Sequence, residues 1–148
     1  MTRISRIGVL ASAMMIALAV SSCDRMPVYK NPPLNRAGDI AINIRTLREG
    51  TPEFYSFAMG GKKIDFFLVR TGGDVQSYFD ACAMCYPRKL GYRVEDGKIV
   101  CRACNVSYTI DELKTGIGSC HPIALPGRSE NGSYIITRAA IKGGSKYF

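Results

Sequence analysis

The chain predicts an all-β domain, and three observations carry that reading. Ile40, Ile42 and Ile44 alternate with polar or small residues, the period-two signature of a half-buried strand. Further short runs rich in aromatic and β-branched residues follow, each bounded by glycine-containing turn signals. No segment sustains a 3.6-residue apolar period over three turns. The expected architecture is a small sandwich or barrel.

The elements follow in order. Phe54 to Ala58 and Ile64 to Arg70 read as strands joined at Gly60-Gly61, a hairpin signal. Thr71-Gly72-Gly73-Asp74 turns into Val75 to Phe79, and Glu95-Asp96-Gly97 turns into Lys98 to Val100. Asn131-Gly132 turns into Tyr134 to Thr137. The domain is expected to run from residue 39 to 148.

What precedes it reads as an export and anchoring device. Residues 1–22 form a lipoprotein signal peptide: Arg3 and Arg6 make a positive start, and Ile7 to Val20 an apolar run too short to span a bilayer comfortably. The run ends in Val20-Ser21-Ser22-Cys23, which looks like a lipobox, making Cys23 the lipidation site. Several acyl chains on one cysteine anchor stably, where one chain holds only marginally. Asp24 resembles an inner-membrane retention signal. The expected location is therefore the cell membrane, facing the periplasm or exterior. Residues 23–38, with Pro27, Pro32, Pro33 and Gly38, read as a tether. No Arg-Arg pair precedes the apolar run, so export follows the general secretory route, with the chain unfolded.

The net charge is +8, and removing Arg3 and Arg6 with the leader leaves 18 basic against 12 acidic side chains. The basic residues are scattered, so nothing points to a nucleic-acid partner. The charge reads either as an ordinary solvated surface or as attraction to an anionic membrane surface or an acidic redox partner. There is no Ser/His/Asp set, phosphate loop or paired-carboxylate site, and the single histidine removes the usual parts of hydrolytic metal chemistry. A conventional enzyme is not expected.

The chemistry lies in the cysteines. Cys82, Cys85, Cys101 and Cys104 are spaced C-x2-C-x15-C-x2-C. Two such knuckles on facing loops bring four thiolates to one point. Each follows an expected strand, Ser77 to Asp80 and Ile99 to Val100. Four thiolates suit zinc, a single iron or an iron–sulfur cluster. Disulfides in an oxidising compartment are the competing reading, but a bridge within one C-x2-C closes a tiny loop, and five thiols cannot pair completely. A thiol–disulfide role for one C-x2-C is a third alternative.

Cys120 and His121 lie in Gly116-Ile117-Gly118-Ser119-Cys120-His121-Pro122 and are candidates for an extra ligand or a neighbour of the centre. One histidine cannot supply the two-Cys, two-His set of a true Rieske centre. Met84, between Cys82 and Cys85, is a soft-metal candidate or a packing residue. Tyr86, Tyr92 and Tyr108 surround the knuckles, either shielding them from water or serving simply as core or surface aromatics.

Two resemblances attach to these residues. Lys63 to Arg70, Val75 to Phe79, Asp80-Ala81-Cys82, Gly97 to Cys104 and Tyr108-Thr109-Ile110 resemble the layout of a Rieske domain, with Cys85 and Cys104 at the histidine positions. More specifically, Asp80-Ala81-Cys82-Ala83-Met84-Cys85-Tyr86, Gly91-Tyr92, Val100-Cys101-Arg102-Ala103-Cys104 and Gly118-Ser119-Cys120-His121-Pro122 to Pro126 resemble the FtrD-like membrane iron–sulfur family. That resemblance implies an iron–sulfur or iron centre at the cysteines, with zinc as the alternative. It also implies electron transfer or iron handling beside a ferrous-iron import system. The partners would be an iron permease or periplasmic iron-binding or electron-transfer proteins.

Overall fold

The computed structural model describes residues 26–115 and 118–148. The expected signal peptide, Cys23, Asp24, Gly116 and Ile117 lie outside the described residues. The strands are β1 (Tyr29–Lys30), β2 (Ile40–Asn43), β3 (Glu53–Met59), β4 (Lys62–Thr71), β5 (Asp74–Cys82), β6 (Tyr92–Glu95), β7 (Lys98–Cys101), β8 (Ser107–Tyr108), β9 (Pro122–Ala124), β10 (Arg128–Glu130) and β11 (Ser133–Ile136). Two short helices complete the fold, α1 (Ile110–Thr115) and α2 (Arg138–Gly143).

The strands form three sheets, ordered β1-β3-β4-β5-β9, β10-β11-β2 and β6-β7-β8. Of the two architectures expected, a barrel does not form among the described residues.

The five-stranded sheet is covered on both faces, and β4 shows why its sequence is almost continuously apolar. Successive side chains of a strand point to opposite faces. Ile64, Phe66 and Leu68 pack on one side with Ile40, Ile42, Tyr134 and Ile136 of the β10-β11-β2 sheet and Ile141 of α2. Phe67 and Val69 pack on the other with Tyr92, Ile99 and Cys101 of the β6-β7-β8 sheet and Leu113 of α1. Phe67 is fully buried, with ring centroids of Phe54, Tyr78 and Tyr92 at 5.1, 5.4 and 6.3 Å. Burying such a side chain contributes about 1.5–3 kcal/mol, and each aromatic pair about 0.5–1.5 kcal/mol more.

The expected hairpins form. β3 and β4 turn at Gly60-Gly61, β4 and β5 at Gly72-Gly73, β6 and β7 at Asp96-Gly97, and β10 and β11 at Asn131-Gly132. Asp96 and Asn131 both have positive φ and are followed by positive-φ glycines, the backbone that a two-residue turn with matching twist requires.

Three features differ from expectation. The alternating run of isoleucines stops one residue early, because Ile44 begins a one-turn 3-10 helix under the Asn43 cap. Two short helices, α1 and α2, stand in a chain expected to be all-β. Within the segment expected to be tether, Tyr29–Lys30 add to the central sheet as β1, parallel to β3, and Leu34 bridges to Ile40. The folded body thus begins by Tyr29. No helix among the described residues is long and apolar enough to cross a membrane.

Candidate metal centre

Each knuckle grows out of a strand end. Cys82 is the last residue of β5 and Cys101 the last of β7. The sheet ladders fix both, and they are 2% and 0% exposed. The second cysteine of each pair falls in irregular backbone: Cys85 is half-buried and Cys104 exposed. The knuckle turns are closed by their own backbone. The N–H of Asn105 donates to the Cys101 carbonyl at 2.8 Å with Asn105 at φ +60, and the N–H of Arg88 donates to the Cys85 carbonyl at 3.0 Å. The N–H of Cys85 donates to Cys82 Sγ at 3.3 Å.

Guanidinium groups tie the two loops together. Arg88 donates to the Ala103 carbonyl at 3.3 Å, and Arg102 to the Leu90 carbonyl at 2.6 Å.

The loop of Cys120 joins them. Cys120 is 8% exposed, and its Sγ lies 3.9 Å from Cys85 Sγ. Its backbone is held by Tyr92, fully buried, whose hydroxyl donates to the Cys120 carbonyl at 2.7 Å. Ala83 in the first knuckle donates its N–H to the His121 carbonyl at 3.0 Å. The five cysteines among the described residues are free thiols.

Their sulfurs fall into two groups. Cys82, Cys85 and Cys101 lie within 4.8 Å of one another, and so do Cys85, Cys104 and Cys120. The four knuckle sulfurs therefore do not make one such group, and Cys85 belongs to both.

The His121 imidazole belongs to neither group, and its Nδ1 is hydrogen-bonded to the Gly118 carbonyl at 2.8 Å. Met84 is 66% exposed, so it does not pack as a core residue. Of the three tyrosines, Tyr92 and Tyr108 are buried in the core against the cysteines, while Tyr86 stacks edge-on against Tyr147 at 5.2 Å.

The thiols share protons unequally. Burial by itself would raise Cys82, but the N–H groups of Cys85 and Met84 and the Tyr92 hydroxyl pull it below the ordinary thiol value. Cys104 is likewise lowered: desolvation opposes ionisation, and the Val106 N–H and the neighbouring thiols outweigh it. Cys85 is raised by desolvation and by the thiols of Cys82 and Cys120, and Cys101 is pushed up to about 11, mainly by burial. Cys120 is raised by its contact with Cys104 and by desolvation. Each group thus contains one thiol shifted toward ionisation beside others shifted away from it. A cation among these sulfurs would favour the ionised form of each.

An all-sulfur donor set is soft, and suits iron, an iron–sulfur cluster or zinc rather than the oxygen-seeking magnesium or calcium. A family model described as membrane iron-sulfur containing protein FtrD-like matches residues 47–148. The chain belongs to the FtrD-like family. The match takes in both knuckles and the Cys120 loop, so the FtrD-like part of the chain contains the whole thiol cluster. A search of curated proteins finds no match.

One brace of the FtrD-like centre is not evident from spacing. Asp80, two residues before Cys82, is 5% exposed. Its Oδ1 accepts from the Tyr92 N–H at 2.7 Å, and its Oδ2 accepts from the Tyr29 hydroxyl at 2.5 Å. Burial raises its carboxyl to about 6, against the two donors that favour the charged form. Asp80 thus positions Tyr92, which in turn holds the Cys120 backbone. The sequence carries a signal for Asp80 and Tyr92 in the D-A-C and G-Y motifs. It carries none for Tyr29, a lone aromatic in a proline-rich stretch.

Proposed function

We propose that the chain is a membrane-anchored lipoprotein, held through Cys23, whose cysteine centre carries iron, as an iron–sulfur cluster or as bound iron. It serves electron transfer or iron handling, at the periplasmic or outer face of the membrane and alongside a ferrous-iron import system. The observation that carries this reading is the convergence of five free thiols from three separate segments, in a family described as iron–sulfur proteins. The Rieske-like layout is part of the same proposal: two ligand loops carried on the ends of strands, with cysteine in place of histidine.

The surface around the centre supports a protein partner. Met84, Tyr86, Leu90 and Val106 are exposed apolar residues flanking the knuckles. Arg88, Lys89 and Arg102 lie on the same loops, and residues 81–94 and 97–110 contain no carboxylate side chain. An apolar patch with a basic rim fits an acidic protein that brings its own apolar contact to the exposed Cys104.

The anchor is compatible with such a partner. β1 is parallel to β5, and Tyr29 aligns through Phe54 and Phe67 with Tyr78, four residues before Cys82. At about 3.3 Å per residue, the chain upstream of β1 enters roughly 13 Å from the cysteine end of the sheet.

The test is metal and acid-labile sulfide analysis, with the visible spectrum, of protein purified anaerobically from membranes. Iron with sulfide and charge-transfer bands is expected for a cluster, and iron without sulfide for bound iron. Zinc in a colourless protein overturns the iron reading and makes the domain a zinc-stabilised interaction module. Export as an unfolded chain means that either metal is acquired after translocation.

A further inference from the structure

The two sulfur groups have different surroundings and one common member. Cys82 and Cys101 are closed off at the strand ends, whereas Cys104 is exposed at the loop tip and Cys120 lies beneath it. We infer that the centre has two metal positions bridged by the Cys85 thiolate: an inner one with Cys82 and Cys101, and an outer, exchangeable one with Cys104 and Cys120. This rests on the reading of the cysteines as a metal centre and deepens it.

Distance and charge both favour two positions. Sulfurs sharing one tetrahedral ion at about 2.3 Å lie about 3.8 Å apart. Within each group the sulfurs are already inside 4.8 Å, and Cys85 and Cys120 are at 3.9 Å. Only small side-chain shifts separate each trio from that spacing. The four knuckle sulfurs, by contrast, do not all lie within 4.8 Å of one another.

Five thiolates around one divalent ion leave a net charge of −3, whereas two divalent ions leave −1. The smaller excess is the one a partly buried site tolerates. Binding balances by release to solvent of the proton from each thiol that still holds one. Each ion then has three thiolates and one further position, which at the outer site opens toward solvent beside Cys104.

The experiment loads the full-length protein, anaerobically and in detergent, with cadmium-113 in place of its native metal and records the cadmium spectrum. Two bound equivalents and two resonances that split each other through the shared sulfur are expected. Cys104→Ser, at an exposed position, should lose one equivalent and leave one unsplit resonance. Cadmium release to a soluble chelator should be biphasic in the parent, one equivalent in each phase, and lose its fast phase in Cys104→Ser. One equivalent in the parent, or two resonances with no mutual splitting, would overturn the bridge. The parent spectrum decides this even if the variant fails to fold. The native metal analysis described above is separate, because a zinc protein can show the bridge and an iron protein can lack it.

Discussion

Replacing Gly91 with alanine tests the brace beneath the centre. Gly91 has φ +66, and a Cβ there would lie 2.5 Å from Asp80 Oδ2, 2.7 Å from Cγ and 2.8 Å from Oδ1. The carboxylate cannot swing aside without breaking its bonds to the Tyr92 N–H and the Tyr29 hydroxyl. The left-handed backbone alone costs an alanine about 1–2 kcal/mol, and losing one hydrogen bond to a buried charged group costs about 1.5–3 kcal/mol. Gly91→Ala should therefore destabilise by about 2.5–5 kcal/mol, a large share of the roughly 5–15 kcal/mol typical of a domain. Gly97→Ala is the control. Its φ is +73 with nothing within 4 Å of the added Cβ, so it carries only the backbone term. Both variants remove a similar amount of unfolded-state freedom, so that contribution cancels. Urea unfolding of the metal-free proteins gives both values from midpoints at constant slope. Metal-free protein is needed because bound metal would add its own stabilisation. A Gly91→Ala variant within about 1 kcal/mol of Gly97→Ala would refute the claim that Asp80 is pinned.

Two further outcomes follow from the same contacts. Tyr92→Phe removes the hydroxyl that holds the buried Cys120 carbonyl; it should cost about 0.5–1.5 kcal/mol in urea unfolding. It should also speed metal release to a chelator, because the Cys120 loop is no longer fixed. Lys89→Glu reverses one charge on the basic rim; for a redox-active centre, the oxidation rate by anionic ferricyanide should fall by a few-fold at low salt. The difference should vanish at high ionic strength, and a salt-independent difference would show that the charge is not steering.

How much of this was legible before the structure depended on whether the signal was local. The four turns were readable because each carries its own glycine, and β3, β4 and β5 because their side chains meet packed layers. β10 was not: Arg128, Ser129 and Glu130 are all exposed, so no apolar alternation marks them. β1 and β9 are two and three residues long, and α1 and α2 six each, too short for any period to repeat. At the centre, spacing brought out the four knuckle cysteines and flagged Cys120, but not how the five divide. That division depends on contacts far apart in the chain, from Tyr92 to Cys120 and from Ala83 to His121. The case of His121 is the sharper one, since it ties the loop to the first knuckle through its carbonyl, a group every residue has. No residue type announces such a role.

The division also follows from where each sulfur sits on its strand. The first cysteine of each knuckle ends a ladder and shares the rigidity of the core; the second stands three residues later, in a turn closed by a few backbone bonds. Sheet ends of this kind hold ligands within narrow limits, whereas loop ligands can adjust. On the two-position reading, an ion between Cys82 and Cys101 would be held by the strand ends. An ion at Cys104 would be held by a turn outside the ladders, tied to the first knuckle by Arg88 and Arg102. Cys85 belongs to both groups while standing outside the ladder, so it links the strand-end sulfurs to those of Cys104 and Cys120. The asymmetry in burial between the two cysteines of each knuckle arises from a two-residue spacer placed after a strand.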